Sequence, residues 1–502
     1  MIGSAESGRR ATTATFLGWV HLGSALRGHV LWRRVVWRRV LWIALLWLEA
    51  PLLACNGNGD GERPPSFLFI LADDLGWGDL PSYGNPVVEA PRLDRLASEG
   101  TLFTNFYVNG PVCSPTRCAF LTGRFPGELR VHGHFGTPEQ NRDRGMPDWL
   151  DPAVPTITKL LRDSGYATGH IGKWHLSSKL PEAPAPDAYG FTRWRLADQW
   201  DEGVSLWNLK ERPTSTRRIV DEAIRFIEDA GEQPFYLQVW LLDVHAILNP
   251  SDEQMQAYAD LAVPGIPYRG AAQVYYSVIT DADAHIGRLL DRLDALGRAA
   301  DTIVVLSSDN GPEIARIKEA GHSAAGSAGP FRGHKRSLYE GGIRVPFIVR
   351  WPGHIPAGVV EDTSVVSGID MLPTFAALAG IPVPAEIELD GEDVSDILLG
   401  TPRARSSLLL WEYRFEVLGH PLNRSPSLAI REGPWKLLLN PNRSRLELYN
   451  LIENPGESED VASIHPQLVQ RLAETLVSWS KTLPHGPLSP EAGRNDYPWP
   501  GK

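Results

Sequence analysis

"SFLFILADDLGWGD", residues 66–79, decides the fold class. Phe67 to Ala72 is an uninterrupted apolar run of strand length, followed at once by two carboxylates, Asp73 and Asp74. A run with no polar alternation is what a strand covered on both faces requires. The pattern recurs. "DTIVVLSSDNGPE", residues 301–313, has a buried run from Ile303 to Leu306 that leads into Asp309 and Asn310. "PFYLQVWLLDVHA" runs from Phe235 to Leu242 and reaches His245, and "GYATGHIGKWHL" ends in Lys173 and His175. Between such runs lie helical patterns. In "TRRIVDEAIRFIEDAG", Ile219, Ala223, Phe226 and Ile227 fall on one face. Strands alternating with helices predict an α/β protein with a mostly parallel sheet flanked by helices. Ligands of such sheets sit beyond the carboxyl ends of the strands, so these four tips predict one common site.

Composition narrows the function. The chain has 502 residues, 43% hydrophobic and 22% charged, enough for more than one core. A net charge of −11 argues against nucleic acid and against an anionic membrane surface as partners. An anionic substrate would need local positive charge supplied by the site itself. Three cysteines do not make a disulfide framework.

Residues 1–55 have the layout of an export signal. Arg33, Arg34, Arg38 and Arg39 precede an apolar run, Val40 to Leu48, too short to span a bilayer. "LLAC", ending at Cys55, resembles the lipobox of bacterial lipoprotein signals, which predicts lipidation there. The expected location is exported: periplasmic or outer-membrane-anchored through Cys55, or secreted. "NGNGDGERPP", residues 56–65, reads as a flexible tether.

"CSPTRCAFLTGR", residues 113–124, reads as a helix entry, with Ser114 as cap, Pro115 in the first turn and Thr116 to Leu121 continuing. Cys113 then sits just outside a helix N-terminus, where unpaired N–H groups favour an anion. A small buried cysteine ahead of a helix fits that segment equally well. Asp73, Asp74, Asp309 and Asn310 offer oxygen ligands only, the preference of Ca²⁺ or Mg²⁺ rather than zinc. Arg117, Lys173, Lys335, His175 and His245 add cations and proton carriers. The mixture suits a tetrahedral anionic ester: a metal and cations neutralise the transferring group, and His or Lys protonates the leaving oxygen.

"CSPTR" matches the C-x-P-x-R signature of the formylglycine-dependent sulfatases, and "GYATGHIGKWHL" matches their second signature. "FILADDLGWGDL", "SDNGPE", "RGHKRSLYEGGIRVPFIVRWPG" and "ELYNLIENPGE" resemble the family in the expected order, over roughly residues 66 to 480. By these motifs the chain is identified as a member of the arylsulfatase-like family, which includes N-acetylgalactosamine-6-sulfatase-like enzymes. The resemblance implies an alkaline-phosphatase-like sheet and a maturation enzyme that oxidises Cys113 to formylglycine (3-oxoalanine). One oxygen of the hydrated aldehyde attacks the sulfate sulfur, and the other hydroxyl then expels sulfate. It also implies a metal, usually Ca²⁺ and less often Mg²⁺, on Asp73, Asp74, Asp309, Asn310 and converted Cys113. Arg117 steadies the diol, Lys173 and Lys335 bind sulfate oxygens, and His175 assists elimination. His245 with Lys335 serves the leaving oxygen, and Asp309 is a candidate base. The chain reads "HAILNP" where the family usually shows His-x-Pro, and His334 replaces what is often a small residue. The implied substrate is a sulfate ester, an aryl sulfate or a sulfated glycan.

The family also implies a catalytic domain over 66–395 and a smaller α+β domain over 396–502. "SLLLWEY", "SLAIREGPWKLLLN" and "RLELYNL" read as short strands, with a hairpin turn at Glu432 to Pro434. "HPQLVQRLAETLVSWSKTL" places Leu468, Leu472, Leu476 and Trp479 on one helix face. Trp194, Trp200 and Trp207, read as loop positions, suit carbohydrate stacking, although core packing is the commoner use of any single tryptophan. Two alternatives stay open here: a phosphonate or phosphate ester hydrolase with similar chemistry, and a non-catalytic lipoprotein in which Cys113 is never converted.

Overall fold

The computed structural model describes residues 63–262, 270–314 and 322–497. The export signal, the lipobox Cys55 and most of the tether lie outside the described residues. The strands are β1 (Ser66–Ala72), β2 (Thr101–Phe103), β3 (Phe106–Tyr107), β4 (Ala167–Gly172), β5 (Arg193–Leu196), β6 (Phe235–Trp240) and β7 (Thr302–Ser308). They continue as β8 (Phe347–Arg350), β9 (Val359–Glu361), β10 (Val366–Ser367), β11 (Leu409–Glu412), β12 (Leu428–Glu432), β13 (Trp435–Leu439) and β14 (Glu447–Asn450). The main sheet has the order β5-β4-β6-β1-β7-β8-β2-β9. From β5 to β7 every neighbouring pair is parallel, and β8 runs antiparallel to both β7 and β2.

β1 lies at the centre because its residues satisfy two cores at once. Phe67, Phe69 and Leu71 face one layer, and Leu68, Ile70 and Ala72 face the other; all seven residues of the strand are buried. Alternate side chains point to opposite faces, so a strand without polar residues has to be covered twice. On the first face lies the helix Cys113–Thr122, whose Phe120 meets Phe69 edge-on with ring centroids 4.9 Å apart. Replacing a buried phenylalanine such as Phe120 by alanine costs about 3–5 kcal/mol. On the second face lie the helices Ser215–Ala230 and Ala271–Ala295. Ile219, Ala223, Phe226 and Ile227 are buried there, as their spacing predicts.

The C-terminal strands form an antiparallel sheet in the order β11-β12-β13-β14, with β12 and β13 joined by the expected hairpin turn. Helix Pro466–Thr482 packs on it with Leu472 and Leu476 buried and Leu468 and Trp479 partly buried. This small sheet shares one hydrophobic core with the main sheet, and the indole N–H of Trp411 donates to the carbonyl of Val108 at 2.8 Å. Buried charges reinforce the junction: Lys436 lies 2.9 Å from both Glu340 and Glu457. No helix among the described residues is long and apolar enough to cross a membrane.

Candidate active site

The tips of β1, β4, β6 and β7 meet at the carboxyl edge of the sheet. β1 and β7 pair in register through Ala72 and Ser308, so Asp73 and Asp309 leave the sheet side by side. One oxygen from each, with the sulfur of Cys113, falls in a cluster whose atoms all lie within 4.8 Å of one another. Asp73, Asp74 and His245 form a second such cluster. Asp74 is held at φ +70, a left-handed conformation uncommon outside glycine, which turns the chain sharply after β1. Its backbone N–H donates to Asp309 at 3.2 Å.

Three cations bind these acids. Arg117 donates to Oδ2 of Asp309 through Nε at 3.0 Å and Nη2 at 2.6 Å, and through Nη1 to the carbonyl of Lys173 at 2.7 Å. Lys173 Nζ reaches Asp73 at 2.5 Å. Lys335 Nζ donates to both oxygens of Asp74 at 2.5 and 2.7 Å. All six groups are buried. Burial alone would raise the Asp74 carboxyl, but Lys335, His245 and Lys173 hold it well below the usual carboxylate range. Asp309 goes the other way: burial and the neighbouring Asp73 push it up to about 6.

Two oxygens in this cluster are buried with no hydrogen-bond partner among the described residues, Oδ1 of Asp73 and Oδ1 of Asn310. The Asn310 amide N–H₂ is spent on Asp74 at 2.7 Å and on the carbonyl of Gly311 at 2.9 Å. Buried oxygens are normally paired, so two orphans in an acidic cluster fit a hard divalent cation.

Two expectations change in detail. Cys113 is the first residue of its helix, not the residue before it; extended Val112 is the cap. Ser114 does not cap. Its hydroxyl donates to the carbonyl of His175 at 2.7 Å and accepts from the N–H of Phe135 at 3.1 Å. The serine therefore ties the helix entry to the Lys173–His175 turn. Cys113 is 3% exposed, and burial raises its thiol against the opposing pull of Lys173 and Lys335, which leaves a protonated and weakly nucleophilic sulfur.

The β4 tip is shaped by backbone. Gly172 has φ +118, and a Cβ there would fall 1.9 Å from the carbonyl oxygen of Trp240. That close approach lets the N–H of Lys173 donate to the same carbonyl at 2.9 Å. His175 follows at φ +54 and contacts the carbonyl of Phe135 through Nε2 at 3.0 Å, while its buried Nδ1 has no partner among the described residues. A carbonyl only accepts, so Nε2 carries the proton and Nδ1 offers a lone pair. Burial and Lys173 keep the ring neutral. His245 likewise donates from Nδ1 to the carbonyl of Ala246 at 2.7 Å, leaving Nε2 3.9 Å from Asp74; burial and Lys335 lower it to about 3.

A cavity of about 700 Å³ opens beside Lys173, His175 and His245. His134 lines it with its ring centroid 6.1 Å from that of His175; burial and Arg144, with further cations beyond, lower it to about 3. Nothing in its local sequence singled it out. Arg336 was also missed: it makes a two-pronged pair with Glu313, at 2.6 and 3.0 Å, next to Lys335. Among the tryptophans, Trp194 is on β5 and not in a loop, Trp200 is buried, and Trp207 is half-buried beside His245. Trp194 and Trp207 line the cavity; His334 does not.

The family model described as Sulfatase matches residues 65–381, well over half of the chain. The chain belongs to the sulfatase family. A second model, N-sulphoglucosamine sulphohydrolase, C-terminal, matches residues 329–482. Human arylsulfatase A is 31% identical to this sulfatase over 461 residues, covering 82% of this chain and 87% of its own. Mouse steryl-sulfatase is 32% identical over 443 residues, 71% of this chain and 68% of its own. The solved structure of Ps i-CgsB in complex with k-i-k-neocarrahexaose superposes with a TM-score of 0.70 at 26% identity, covering 86% of this chain and 95% of that one. The fold is the alkaline-phosphatase-like fold of the sulfatases, and the sulfatase is a sulfuric ester hydrolase, as the motifs imply.

Proposed function

We propose that this sulfatase is matured at Cys113 to formylglycine and releases inorganic sulfate from sulfated glycans with the help of a divalent cation, Ca²⁺ ahead of Mg²⁺. The observation that carries the reading is the packing of the Cys113 sulfur among oxygens of Asp73 and Asp309, within 4.8 Å, at the first turn of a helix. Asp73, Asp74, Asp309 and Asn310 would hold the cation, and the two orphaned oxygens support that assignment. The cation would neutralise charge on the sulfate group, and the hydrated aldehyde would supply the attacking oxygen.

The chain's own residues do the rest. The helix N-terminus at residue 113 favours negative charge on that oxygen. Arg117 holds Asp309 in place, and Asp309 is the candidate base for the nucleophile. Lys173 and Lys335 bind sulfate oxygens, each swinging from the carboxylate it now contacts. Lys335 is held charged by Asp74 against burial, so it donates a hydrogen bond to the leaving oxygen, and its proton follows as that oxygen becomes the stronger base. His245 offers a lone pair in its observed tautomer, so it does not protonate the leaving oxygen but accepts a hydrogen bond from the alcohol once that oxygen carries a proton. Nδ1 of His175 accepts a proton during release of sulfate.

We assign residues 66–395 to the catalytic domain and 396–502 to a small α+β domain packed against it. Export through the signal in residues 1–55, with a lipid at Cys55, rests on sequence pattern alone. The deciding experiment is peptide mass analysis of protein from a host with a formylglycine-generating enzyme, alongside sulfate release from an aryl sulfate. The expected result is loss of sulfur and gain of an aldehyde at residue 113. Activity should fall on chelation and return with Ca²⁺ better than with Mg²⁺. Active enzyme that keeps its thiol would refute the nucleophile.

A further inference from the structure

The cavity beside the candidate catalytic groups, about 700 Å³, is of a size that holds a substrate's organic part, not a lone sulfate. Its lining is mixed. Trp194 and Trp207 supply two indoles, and Gln140, Lys179, Asp198 and Gln199 supply hydrogen-bonding groups. The two indoles differ. Trp207 is already engaged, with the Arg212 guanidinium and Lys173 Nζ each 5.5 Å from its ring centroid and His245 edge-on at 5.4 Å. Trp194 stands on β5, 37% exposed, with no aromatic ring or cation against it among the described residues. A strand that pairs with β4 thus holds a large indole at the wall of the cavity with 37% of its surface open.

We propose that this cavity is a subsite for the pyranose ring of a sulfated sugar, with Trp194 as its stacking wall. The apolar C–H face of a pyranose packs on an indole, and its hydroxyls need donors and acceptors at the rim. Asp198, 3.8 Å from Lys179, and the Gln199 amide provide them. An aryl or steroid group fills the same cavity without using those groups, so the polar rim favours a hydroxylated ring. The proposal rests on the sulfated-glycan reading and goes further by assigning the residue that selects the sugar ring.

The test compares Trp194→Ala and Trp194→Phe with wild type, all matured alike. The substrates are 4-nitrocatechol sulfate and a panel of sulfated mono- and disaccharides. For the best sulfated sugar, Trp194→Ala should raise KM by up to about tenfold, with the loss on KM and not kcat. The rise should be smaller for the aryl sulfate, and Trp194→Phe should recover most of it. An equal KM shift for both ester classes, or none, overturns the proposal. So does a wild type that hydrolyses the aryl sulfate and no sulfated sugar, which leaves the sulfate-ester reading standing. Release of sulfate from neither class overturns that reading along with the subsite.

Discussion

Two buried clusters of charge, one at the strand tips and one at the junction with the small sheet, are built differently. At the strand tips, Asp73, Asp74 and Asp309 are met by Arg117, Lys173 and Lys335, yet Oδ1 of Asp73 and Oδ1 of Asn310 accept no hydrogen bond among the described residues, and the Arg117 guanidinium comes no nearer to Oδ1 of Asp73 than 3.9 Å. At the junction, Lys436 is shared by Glu340 and Glu457, and both oxygens of Glu340 are engaged, one by Lys436 and the other by Tyr107 and Arg344. Glu457 also accepts from the N–H of Glu340 at 2.6 Å. The junction bonds two layers together. The strand-tip cluster keeps oxygens in reserve, which costs stability unless something binds there.

Cys113→Ala should break this contrast most sharply. Turnover of sulfate esters should fall on the order of 10⁶-fold, as for the loss of other covalent nucleophiles. Thermal melting should move little, since a buried sulfur is exchanged for a methyl group. A variant that unfolds instead would make residue 113 a packing residue. Lys436→Met should show the reverse. Above about pH 7, where Glu457 is ionised, removing the shared cation leaves two buried carboxylates facing each other, at a cost of about 3–5 kcal/mol by denaturant titration. The kcat of the protein that remains folded should stay within about twofold of wild type, because Lys436 touches no group of the strand-tip site.

The smallest effect sharpens the junction's electrostatics. Burial pushes Glu457 up to about 7 despite Lys436, with Glu340 adding to the rise. The folded protein therefore binds a proton there that the unfolded chain releases near its ordinary value. That contribution is present at low pH and is lost as pH rises through about 7. Glu457→Gln, which stays neutral, should flatten the fall in melting temperature between about pH 5 and about pH 8. An unchanged slope would place the titration elsewhere, for instance on Asp79, which burial also raises to about 7.

Much of the sheet was legible because a polar or charged residue closes each apolar run. Asp73, Lys173, His245 and Asp309 each mark a chain leaving the core, and an apolar run between such marks can only be a covered strand. The register of β1 with β7 then brings Asp73 and Asp309 together without further information. Contacts fixed by distant segments were not legible. Ser114 has the pattern of a cap, but His175 and Phe135, far along the chain, claim its hydroxyl. Trp194 looked like a loop residue because β5 is four residues long and only partly covered, too little for a strand pattern. His134, Glu313 and Arg336 lie in segments without periodicity, and only folding brings His134 to His175 and Glu313 to Arg336. The junction cluster was invisible for the same reason: Lys436 sits in an ordinary hairpin, and its partners are remote in sequence.

At Gly172 labour is divided between neighbours. The main chain there touches the next strand so closely that no side chain can be tolerated, and this contact, with the bond from Arg117 to the carbonyl of residue 173, aims that residue over the acidic edge. The ammonium of Lys173 is anchored to Asp73 at 2.5 Å, with both groups buried. Exchange of residue 173 therefore removes a charge from the chemistry and leaves Asp73 without its cation, a cost that a bound divalent ion can offset. Exchange of the glycine forfeits the scaffold itself.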